Sequence, residues 1–290
     1  MSYKTIFVLI HGAWHGAWCY EKVAAVIKLQ GYPVVARDLP GHGLLAKFPT
    51  SYFNRPLPLP GDFNTELSPV ASVSLDDYVQ QVSNIVDELA KQGSKVILVG
   101  HSIAGIILNA VGEKLGPELI QRLVYLTAFM PVSNSPITEI LTRASQADNK
   151  VLPLLLADPA QVGALRIDFH SVAPAYLSLA KAAFYADISE EDFRAIANLL
   201  TPDTPAQPFN ALVELSRTRW GRIPRTYIQC TQDYAIRPAT QAQMIADIDA
   251  FTPGNPTQLL SLNSSHSPFF SQPKTLVNAL IGLVKETEEV

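Results

Sequence analysis

The sequence predicts an α/β protein with a mostly parallel central sheet, and three observations lead to that prediction. Short β-branched apolar runs alternate with longer helical patterns at both ends of the 290-residue chain. Runs such as residues 6–10 and 96–99 lack polar alternation, which is typical of strands buried on both faces. Hydrophobic residues make up 48% of the chain and charged residues 17%, so a substantial core can form. We therefore expect helices to cover both faces of the sheet.

The predicted elements follow one another along the chain. Residues 6–10, 33–36, 96–99, 123–126, 225–230 and 258–262 are apolar runs of the length of strands. Helical patterns cover residues 17–30, 75–91, 103–114 and 240–250, and a closing helix starts at residue 274. Gly31 ends the first helix. Ser74 is the expected N-cap of the second, whose first turn then holds Asp76 and Asp77, where the helix dipole favours negative charge.

Two stretches interrupt this alternation. Residues 44–74 contain five prolines and predict a long irregular loop, a feature that is usually functional or mobile in a compact domain. Residues 131–220 are rich in Ala and Leu and helical in pattern throughout, and they lie between two sheet strands. We expect them to form a helical cap over one end of the sheet. The core would then consist of residues 1–130 and 221–290.

Composition excludes several classes of function. The net charge is −4 and Lys and Arg form no cluster, so nucleic acid is not an expected partner. Two distant cysteines, Cys19 and Cys230, make neither a disulfide framework nor a zinc site and are expected to be reduced. Residues 5–10 are too short for a signal-peptide core, and no segment approaches about eighteen uninterrupted apolar residues. These features predict a cytoplasmic protein without a membrane partner. They leave the oligomeric state open, a homodimer included.

The strongest chemical signal is the segment at residues 100–105, Gly-His-Ser-Ile-Ala-Gly, between a predicted strand and a predicted helix. A nucleophile elbow requires this setting, because its turn is so tight that the residues around the nucleophile must be small. Gly100 meets that need, and Ala104 stands where the usual pattern has glycine. Ser102 is therefore the candidate nucleophile. The alternative is an ordinary strand–helix turn with a capping serine.

A serine hydroxyl needs a base, and that base needs an acid to orient it. Only two of the six histidines follow Ser102, and His170 lies in the expected cap. His266 follows the last strand, at the sheet edge where parallel strands present their ligands. Asp233 follows the preceding strand, whereas the strand at residues 123–126 has no carboxylate after it before Glu139. We expect His266 to be the base and Asp233 the acid; an Asx turn is the alternative for Asp233.

The oxyanion of a tetrahedral intermediate needs backbone donors, each typically worth about 3–4 kcal/mol of the barrier. One is expected to be the amide of Ile103, directly after the nucleophile. The second is expected from the loop after the first strand, at the amide of Ala13. Gly12 would allow that backbone to approach a substrate closely. Trp14 lies beside it and is, with Phe129, a candidate substrate contact.

Five segments carry a family resemblance: residues 11–18, 38–43, 100–105, 123–131 and 227–233. They resemble those of the α/β-hydrolase superfamily, in the subgroup that holds plant methylesterases, hydroxynitrile lyases and bacterial carboxylesterases. The resemblance implies an α/β-hydrolase fold, a mostly parallel sheet flanked by helices with an inserted helical cap. It implies the triad Ser102, Asp233 and His266, with Ala13 and Ile103 as oxyanion donors. It implies no metal and no cofactor.

The same resemblance favours ester hydrolysis over carbon–carbon cleavage. The lyases of the subgroup carry a threonine where this chain has Gly12, and a lysine where it has Ser267. Asp38 and His42 are expected to shape a turn rather than react. The predicted function is hydrolysis of a carboxylic ester of a hydrophobic or aromatic small molecule through an acyl-enzyme. A hydroxynitrile lyase, a cofactor-free oxygenase on the same fold and a slow-turnover ligand receptor are the alternatives.

Overall fold

The structure is a computed structural model that describes residues 4–57 and 61–288. Its strands are β1 (Lys4–Ile10), β2 (Val34–Ala36), β3 (Ser94–His101), β4 (Ile120–Leu126), β5 (Ala164–Arg166), β6 (Asp203–Pro205), β7 (Arg225–Cys230) and β8 (Gln258–Leu262). Six of them form one sheet in the order β2-β1-β3-β4-β7-β8, and every neighbouring pair in it is parallel. The predicted parallel sheet is confirmed.

Helices cover the two faces of this sheet. The α-helices of the described residues are α1 (Glu21–Leu29), α2 (Asp62–Thr65), α3 (Leu75–Lys91), α4 (Ala104–Leu115), α5 (Ile137–Leu141), α6 (Pro159–Val162), α7 (Pro174–Phe184), α8 (Glu190–Ala197), α9 (Gln207–Asn210), α10 (Pro238–Phe251), α11 (Pro268–Ser271) and α12 (Pro273–Glu288). Helix α1 packs against α12, and α3 packs against α4. The strand order reverses between β1 and β3, so right-handed crossovers place these two pairs on opposite faces.

Burial of the strands follows their apolar runs. The last six residues of β3 are buried, as expected for a central strand covered on both faces. At the sheet edges, β2 is only half-buried, and β8 alternates between half-buried and exposed positions until its buried last residue, Leu262. Ser74 caps α3 as predicted: its hydroxyl accepts a hydrogen bond from the Asp77 amide, and the Asp77 carboxylate accepts one from the Ser74 amide.

The structure differs from the expected elements in two places of the core. The helix expected from residue 17 begins as a single 3-10 turn, Ala17–Tyr20, and continues as α1. The expected loop at residues 44–74 contains the short helix α2 and 3-10 turns, and its Pro58 and Pro60 lie outside the described residues. The Asp38 carboxylate accepts hydrogen bonds from the Ala17 and Leu44 amides, 2.6 and 2.9 Å long, so Asp38 does shape a turn.

The expectation that residues 131–220 are helical throughout is wrong. Strands β5 and β6 form an antiparallel pair within them, and the helices between are short. Proline and glycine explain the interruptions, because Pro159 and Pro174 begin helices and Gly163 ends α6 at a φ of 71°. The strand pair is held by the buried Arg166 guanidinium, which binds both oxygens of the Asp203 carboxylate at 2.7 Å. We call residues 131–220 the inserted segment below.

The parallel topology brings the carboxyl ends of the strands to one edge of the sheet. The loops that leave β1, β3, β4, β7 and β8 there contain every site residue expected from the sequence. No helix of the described residues is both long and apolar enough to cross a membrane. Within the same residues, no group of three His, Cys, Asp or Glu side chains could hold a metal ion, and Cys19 and Cys230 are both free and buried.

Candidate active site

Ser102 lies in the turn between β3 and α4 with a φ of 56°, in the left-handed region. Its carbonyl accepts hydrogen bonds from the amides of Gly105 and Phe129, at 3.2 and 3.0 Å, which fix the turn. A Cβ on Gly100 would collide with Leu108, whereas the methyl group of Ala104 is fully buried without displacing the turn. The smallness expected around the nucleophile is therefore present at both positions.

Backbone strain is concentrated at this edge of the sheet. Among the described residues, Trp14, Ser102, Thr127 and Asn134 are the non-glycine residues with positive φ. The first three follow β1, β3 and β4 directly or closely, with φ values of 59°, 56° and 37°. Such conformations cost about 1–3 kcal/mol each and persist where the surrounding structure enforces them, often at functional sites. The strain marks these three strand ends as candidates for function.

His266 and Asp233 form a buried pair at the ends of β8 and β7. The His266 Nδ1 lies 2.7 Å from Oδ2 of Asp233, and both side chains are almost completely inaccessible to solvent. Because a carboxylate can only accept, Nδ1 carries the hydrogen and Nε2 keeps a free lone pair. The other oxygen of Asp233 accepts from the amides of Ala235 and Ile236, at 2.6 and 2.9 Å. The Asp233 carboxylate thus fixes the tautomer of His266 and leaves Nε2 available as an acceptor.

Thr127 is a site residue that the sequence reasoning missed. Its hydroxyl donates a 2.5 Å hydrogen bond to the same oxygen of Asp233 that binds His266. The Thr127 amide also bonds the Ile228 carbonyl, at 2.8 Å, which ties the end of β4 to β7. The end of β4 has no carboxylate, and the available signal was a polar side chain at the end of a buried strand. Thr127 therefore helps to hold the carboxylate of Asp233, the candidate acid.

His101 supports the loop that carries His266. Its Nε2 donates to the His266 carbonyl at 2.8 Å, and the two rings are 4.5 Å apart. Burial lowers the pKa of His101 well below its usual value, and the neighbouring His266 and His15 lower it further. Burial also lowers the pKa of His15 to about 3. Both imidazoles are therefore neutral at physiological pH and act as hydrogen-bonding groups within the core.

Two backbone amides beside Ser102 are free to bind an oxyanion. The amides of Ala13 and Ile103 donate to no acceptor within residues 4–57 and 61–288. Ile103 follows Ser102 directly. Gly12 brings the loop after β1 close to Ser102, since a Cβ on Gly12 would lie 2.8 Å from Ser102 Cβ. Buried amides without partners are rare in proteins and call for an explanation. These two are the donors expected from the sequence.

Ser102 opens on a small apolar cavity of about 30 Å³ between the sheet edge and the inserted segment. Its lining consists of Ala13, Trp14, Ser102, Phe129, Leu141, Asn149, Val151, Leu152, Leu165, Phe184, Phe209, Ala235 and Ile236. The structure therefore brings Trp14 and Phe129 to Ser102, whereas Gly12 and His266 lie outside this lining. No hydrogen bond joins the Ser102 hydroxyl to His266 within the described residues. A larger cavity of about 890 Å³, between Trp18, Phe53 and Leu199, does not include Ser102.

Comparison with known proteins identifies the family. The model of the alpha/beta hydrolase family matches residues 7–280, nearly the whole chain. The chain belongs to the α/β hydrolase family. This confirms the resemblance read from the sequence and agrees with the sheet and strand order described above.

Two relatives of this α/β hydrolase are similar over nearly their full length. The chain is 27% identical to methylesterase 7 of Arabidopsis thaliana over 95% of its own length and 94% of the relative's. It is 28% identical to methyl jasmonate esterase 1 of Vitis vinifera, with 96% of each chain covered. Among solved structures, a pyrethroid hydrolase from Sphingobium faniae superposes with a TM-score of 0.75 at 23% identity over all of both chains. Polyneuridine aldehyde esterase superposes with a TM-score of 0.72 at 22% identity, over 97% and 99% of the chains. The structural likeness establishes the fold.

Proposed function

We propose that this protein is a serine hydrolase of carboxylic esters, with Ser102 as nucleophile, His266 as base and Asp233 as the acid that orients it. The observation that carries the proposal is the position of the His266–Asp233 pair at the same sheet edge as Ser102, with Ser102 held in a left-handed turn. The esterase names of the full-length relatives support ester hydrolysis for this chain as well.

The reaction follows from the hydrogen-bonding roles of these groups. The Ser102 oxygen attacks the ester carbonyl carbon while its proton passes to the free Nε2 of His266. The negative charge that develops on the carbonyl oxygen is bound by the amides of Ala13 and Ile103. His266 then gives its proton to the departing alcohol oxygen, which leaves an acyl group on Ser102. A water molecule, deprotonated by His266, hydrolyses that acyl-enzyme and restores the serine.

The chemistry of the cavity favours a neutral hydrophobic ester. No Lys, Arg, Asp or Glu is among the residues that line it. Its two polar side chains beyond Ser102 are already engaged: Trp14 Nε1 donates to the Leu165 carbonyl at 3.1 Å, and Asn149 accepts from the Val151 and Leu152 amides. A polar group buried there without a partner would cost about 1–3 kcal/mol, whereas each buried methylene gains about 0.8 kcal/mol.

Two positions argue against the lyase alternative. A threonine in place of Gly12 would force its neighbours to shift, because even a Cβ would lie 2.7 Å from His101 Nδ1 and 2.8 Å from Ser102 Cβ. Ser267 is fully buried and supplies no positive charge for a departing cyanide. Neither the oxygenase nor the receptor alternative is favoured by a specific contact in the described residues.

Turnover of p-nitrophenyl acetate by the wild type and by Ser102→Ala tests the proposal. We expect Ser102→Ala to lose at least about a thousandfold in kcat, because it removes the nucleophile. Ser178→Ala is the matched control, since Ser178 is exposed on α7, and should retain full activity. A fluorophosphonate should label Ser102. Equal activity of Ser102→Ala and wild type, cyanide release from mandelonitrile without ester turnover, or failure of labelling would contradict the proposal.

A further inference from the structure

A carboxylate of the inserted segment binds the loop that carries His266. Asp187 lies between α7 and α8, and its Oδ2 accepts hydrogen bonds from Ser264 Oγ, the Ser265 amide and Ser271 Oγ at 2.9, 3.0 and 2.8 Å. Its Oδ1 accepts from the Ser265 hydroxyl. Two of these partners directly precede His266 in sequence. One side chain thus holds the approach to the candidate base through four donors.

The charge of Asp187 makes these bonds strong. The donors are three hydroxyls and an amide, all neutral, and within the described residues no Lys, Arg or His forms an ion pair with Asp187. Burial alone would raise the pKa of the Asp187 carboxyl, but the hydrogen bonds from Ser265, Ser271 and Ser264 hold it below its usual value. Charge-assisted hydrogen bonds are about twice as strong as neutral ones. The carboxylate stays ionised at neutral pH and orders the serine-rich loop.

The hydrogen bonds that His266 itself makes do not include the residues just before it. Asp233 binds the imidazole at Nδ1, and His101 binds the His266 carbonyl. Both partners belong to the core. Neither binds the Ser264–Ser265 peptide, whose carbonyl accepts a hydrogen bond from the Gln232 amide at 3.0 Å. Asp187 binds the amide of that same peptide at 3.0 Å, so the inserted segment and the core hold it together.

The segment that contains Asp187 also forms the cavity wall. Phe184, three residues earlier, lines the cavity with Ser102, and its ring lies 6.1 Å from the His266 ring. Between the two, the Tyr185 hydroxyl bonds Nε2 of His15 at 2.6 Å, so this short stretch is anchored on the core as well. A shift of the wall at Phe184 would move Asp187, and with it the Ser264–Ser265 peptide that leads to His266.

We propose that Asp187 is a positioning residue for His266, through which the inserted segment aligns the base with Ser102. The inference rests on the proposed function, because it assigns Asp187 to the base of that reaction. It predicts that the positions of the cavity wall at Phe184 and of the His266 imidazole depend on each other. His266 is aligned with Ser102 when the inserted segment packs on the core. Asp187 itself does not touch the reacting atoms.

Asp187→Asn and Asp187→Ala test this role, with Asp192→Asn as the matched control. Asp192 lies five residues later in the same segment, is exposed and accepts a similar serine hydrogen bond, from Ser189 at 2.8 Å. An amide keeps one acceptor oxygen but turns the other into a donor, which faces the same donors. We expect kcat per active site to fall roughly tenfold in Asp187→Asn and a hundredfold in Asp187→Ala, with KM changed less than about twofold. Asp192→Asn should keep the wild-type kcat.

A readout independent of turnover separates this inference from the proposed function. The hydrogen between His266 Nδ1 and Asp233 should give a far-downfield proton NMR resonance in the wild type and in Asp192→Asn. We expect it to broaden or vanish in Asp187→Ala although circular dichroism shows a folded protein. An unchanged resonance and kcat in both Asp187 variants would overturn the positioning role. The role would also be overturned if Asp192→Asn lost as much kcat as the Asp187 variants. Failure of the wild type to hydrolyse esters would overturn the proposed function, and the resonance would still report whether Asp187 holds His266.

Discussion

Gly12 and Ser102 lie in direct contact across the gap between β1 and β3. A Cβ placed on Gly12 would stand 2.8 Å from the Cβ of Ser102, closer than real Cβ contacts allow. The contact explains how the amides of the β1 loop reach the region in front of the serine. Glycine is required here by the close approach of the His101 and Ser102 side chains to the Gly12 backbone rather than by an unusual φ.

Gly12→Ala should therefore impair both stability and turnover. The added methyl group must displace Ser102 or His101, and such overpacking typically costs about 1–3 kcal/mol of unfolding free energy. We expect kcat to fall at least about tenfold, because the oxyanion donors move with the loop. Urea denaturation and ester turnover measure the two effects. Gly254→Ala is the control, since nothing lies within 4 Å of its added Cβ, and it should be neutral in both. Normal turnover in Gly12→Ala would contradict the close contact.

Thr127→Val should lower kcat while Thr127→Ser should not. Valine keeps the branched shape but removes the hydroxyl that donates to Asp233 at 2.5 Å. The carboxylate then loses one of the hydrogen bonds that hold it against His266, and we expect kcat to fall by roughly tenfold. Serine retains the donor. Steady-state kinetics of the two variants, normalised to titrated active sites, measure the difference. Equal rates in both would show that the hydroxyl has no part in orienting the acid.

The buried histidines should make the fold sensitive to mild acid. Burial lowers the pKa of His15 to about 3 and that of His42 to about 4, whereas a histidine in the unfolded chain has a pKa near 6.5. Below pH 6.5 these histidines bind protons in the unfolded chain but remain neutral in the folded protein. Stability is therefore complete above that pH and falls as the pH drops, by about 1.4 kcal/mol per histidine for each pH unit.

Urea denaturation between about pH 7.5 and pH 5 measures this dependence. Few carboxyl groups titrate in that window, so the slope reports the histidines. His42→Gln should flatten the slope by the contribution of one histidine, whatever it does to the absolute stability. A wild-type free energy of unfolding that stays constant over the window would contradict the burial of neutral imidazoles.

The ion pair between Arg166 and Asp203 should be costly to break from one side. Both side chains are fully buried, and the guanidinium also donates to the carbonyls of Phe63 and Glu66 at 2.6 and 2.9 Å. Asp203→Ala leaves an unpaired buried charge and should destabilise the protein by about 3–5 kcal/mol. The double variant Arg166→Met with Asp203→Leu should recover part of that loss in thermal denaturation. A double variant less stable than Asp203→Ala would refute the argument from the unpaired charge.

The residues expected at the site differ in how firmly the sequence pointed to them. Ser102 was marked by its own neighbours, because a strand, a tight turn of small residues and a helix are all local features. Asp233 and His266 rest on chain order and elimination, and the fold brings them to the same edge as Ser102 because parallel strands all end there. The contact of Thr127 with Asp233 was not predictable from the sequence, because it depends on which strand lies beside β4. That neighbour, β7, is 99 residues further along the chain from Leu126 to Arg225.

The structure of the inserted segment was the part least predictable from the sequence. Its apolar composition predicted burial, but Pro and Gly broke the helical pattern, and the pairing of β5 with β6 depends on residues 37 positions apart, Arg166 and Asp203. The partners of Asp187 could not be predicted from its neighbours in the sequence, because the serines that it binds lie beyond residue 263. Contacts of this kind depend on packing and cannot be read from local periodicity.

The sequence by itself determined the alternation of strands and helices, the turn at Ser102 and the sheet edge at which the other candidates stand. Hydrophobic periodicity and turn chemistry are local properties, so each residue's neighbours in the chain suffice to express them. The tertiary structure alone decided which donors bind Asp233 and how closely Gly12 approaches Ser102. It also decided that Asp187 binds the loop that carries His266. Those relationships join residues brought together by the packing of distant segments, and side-chain distances decide them.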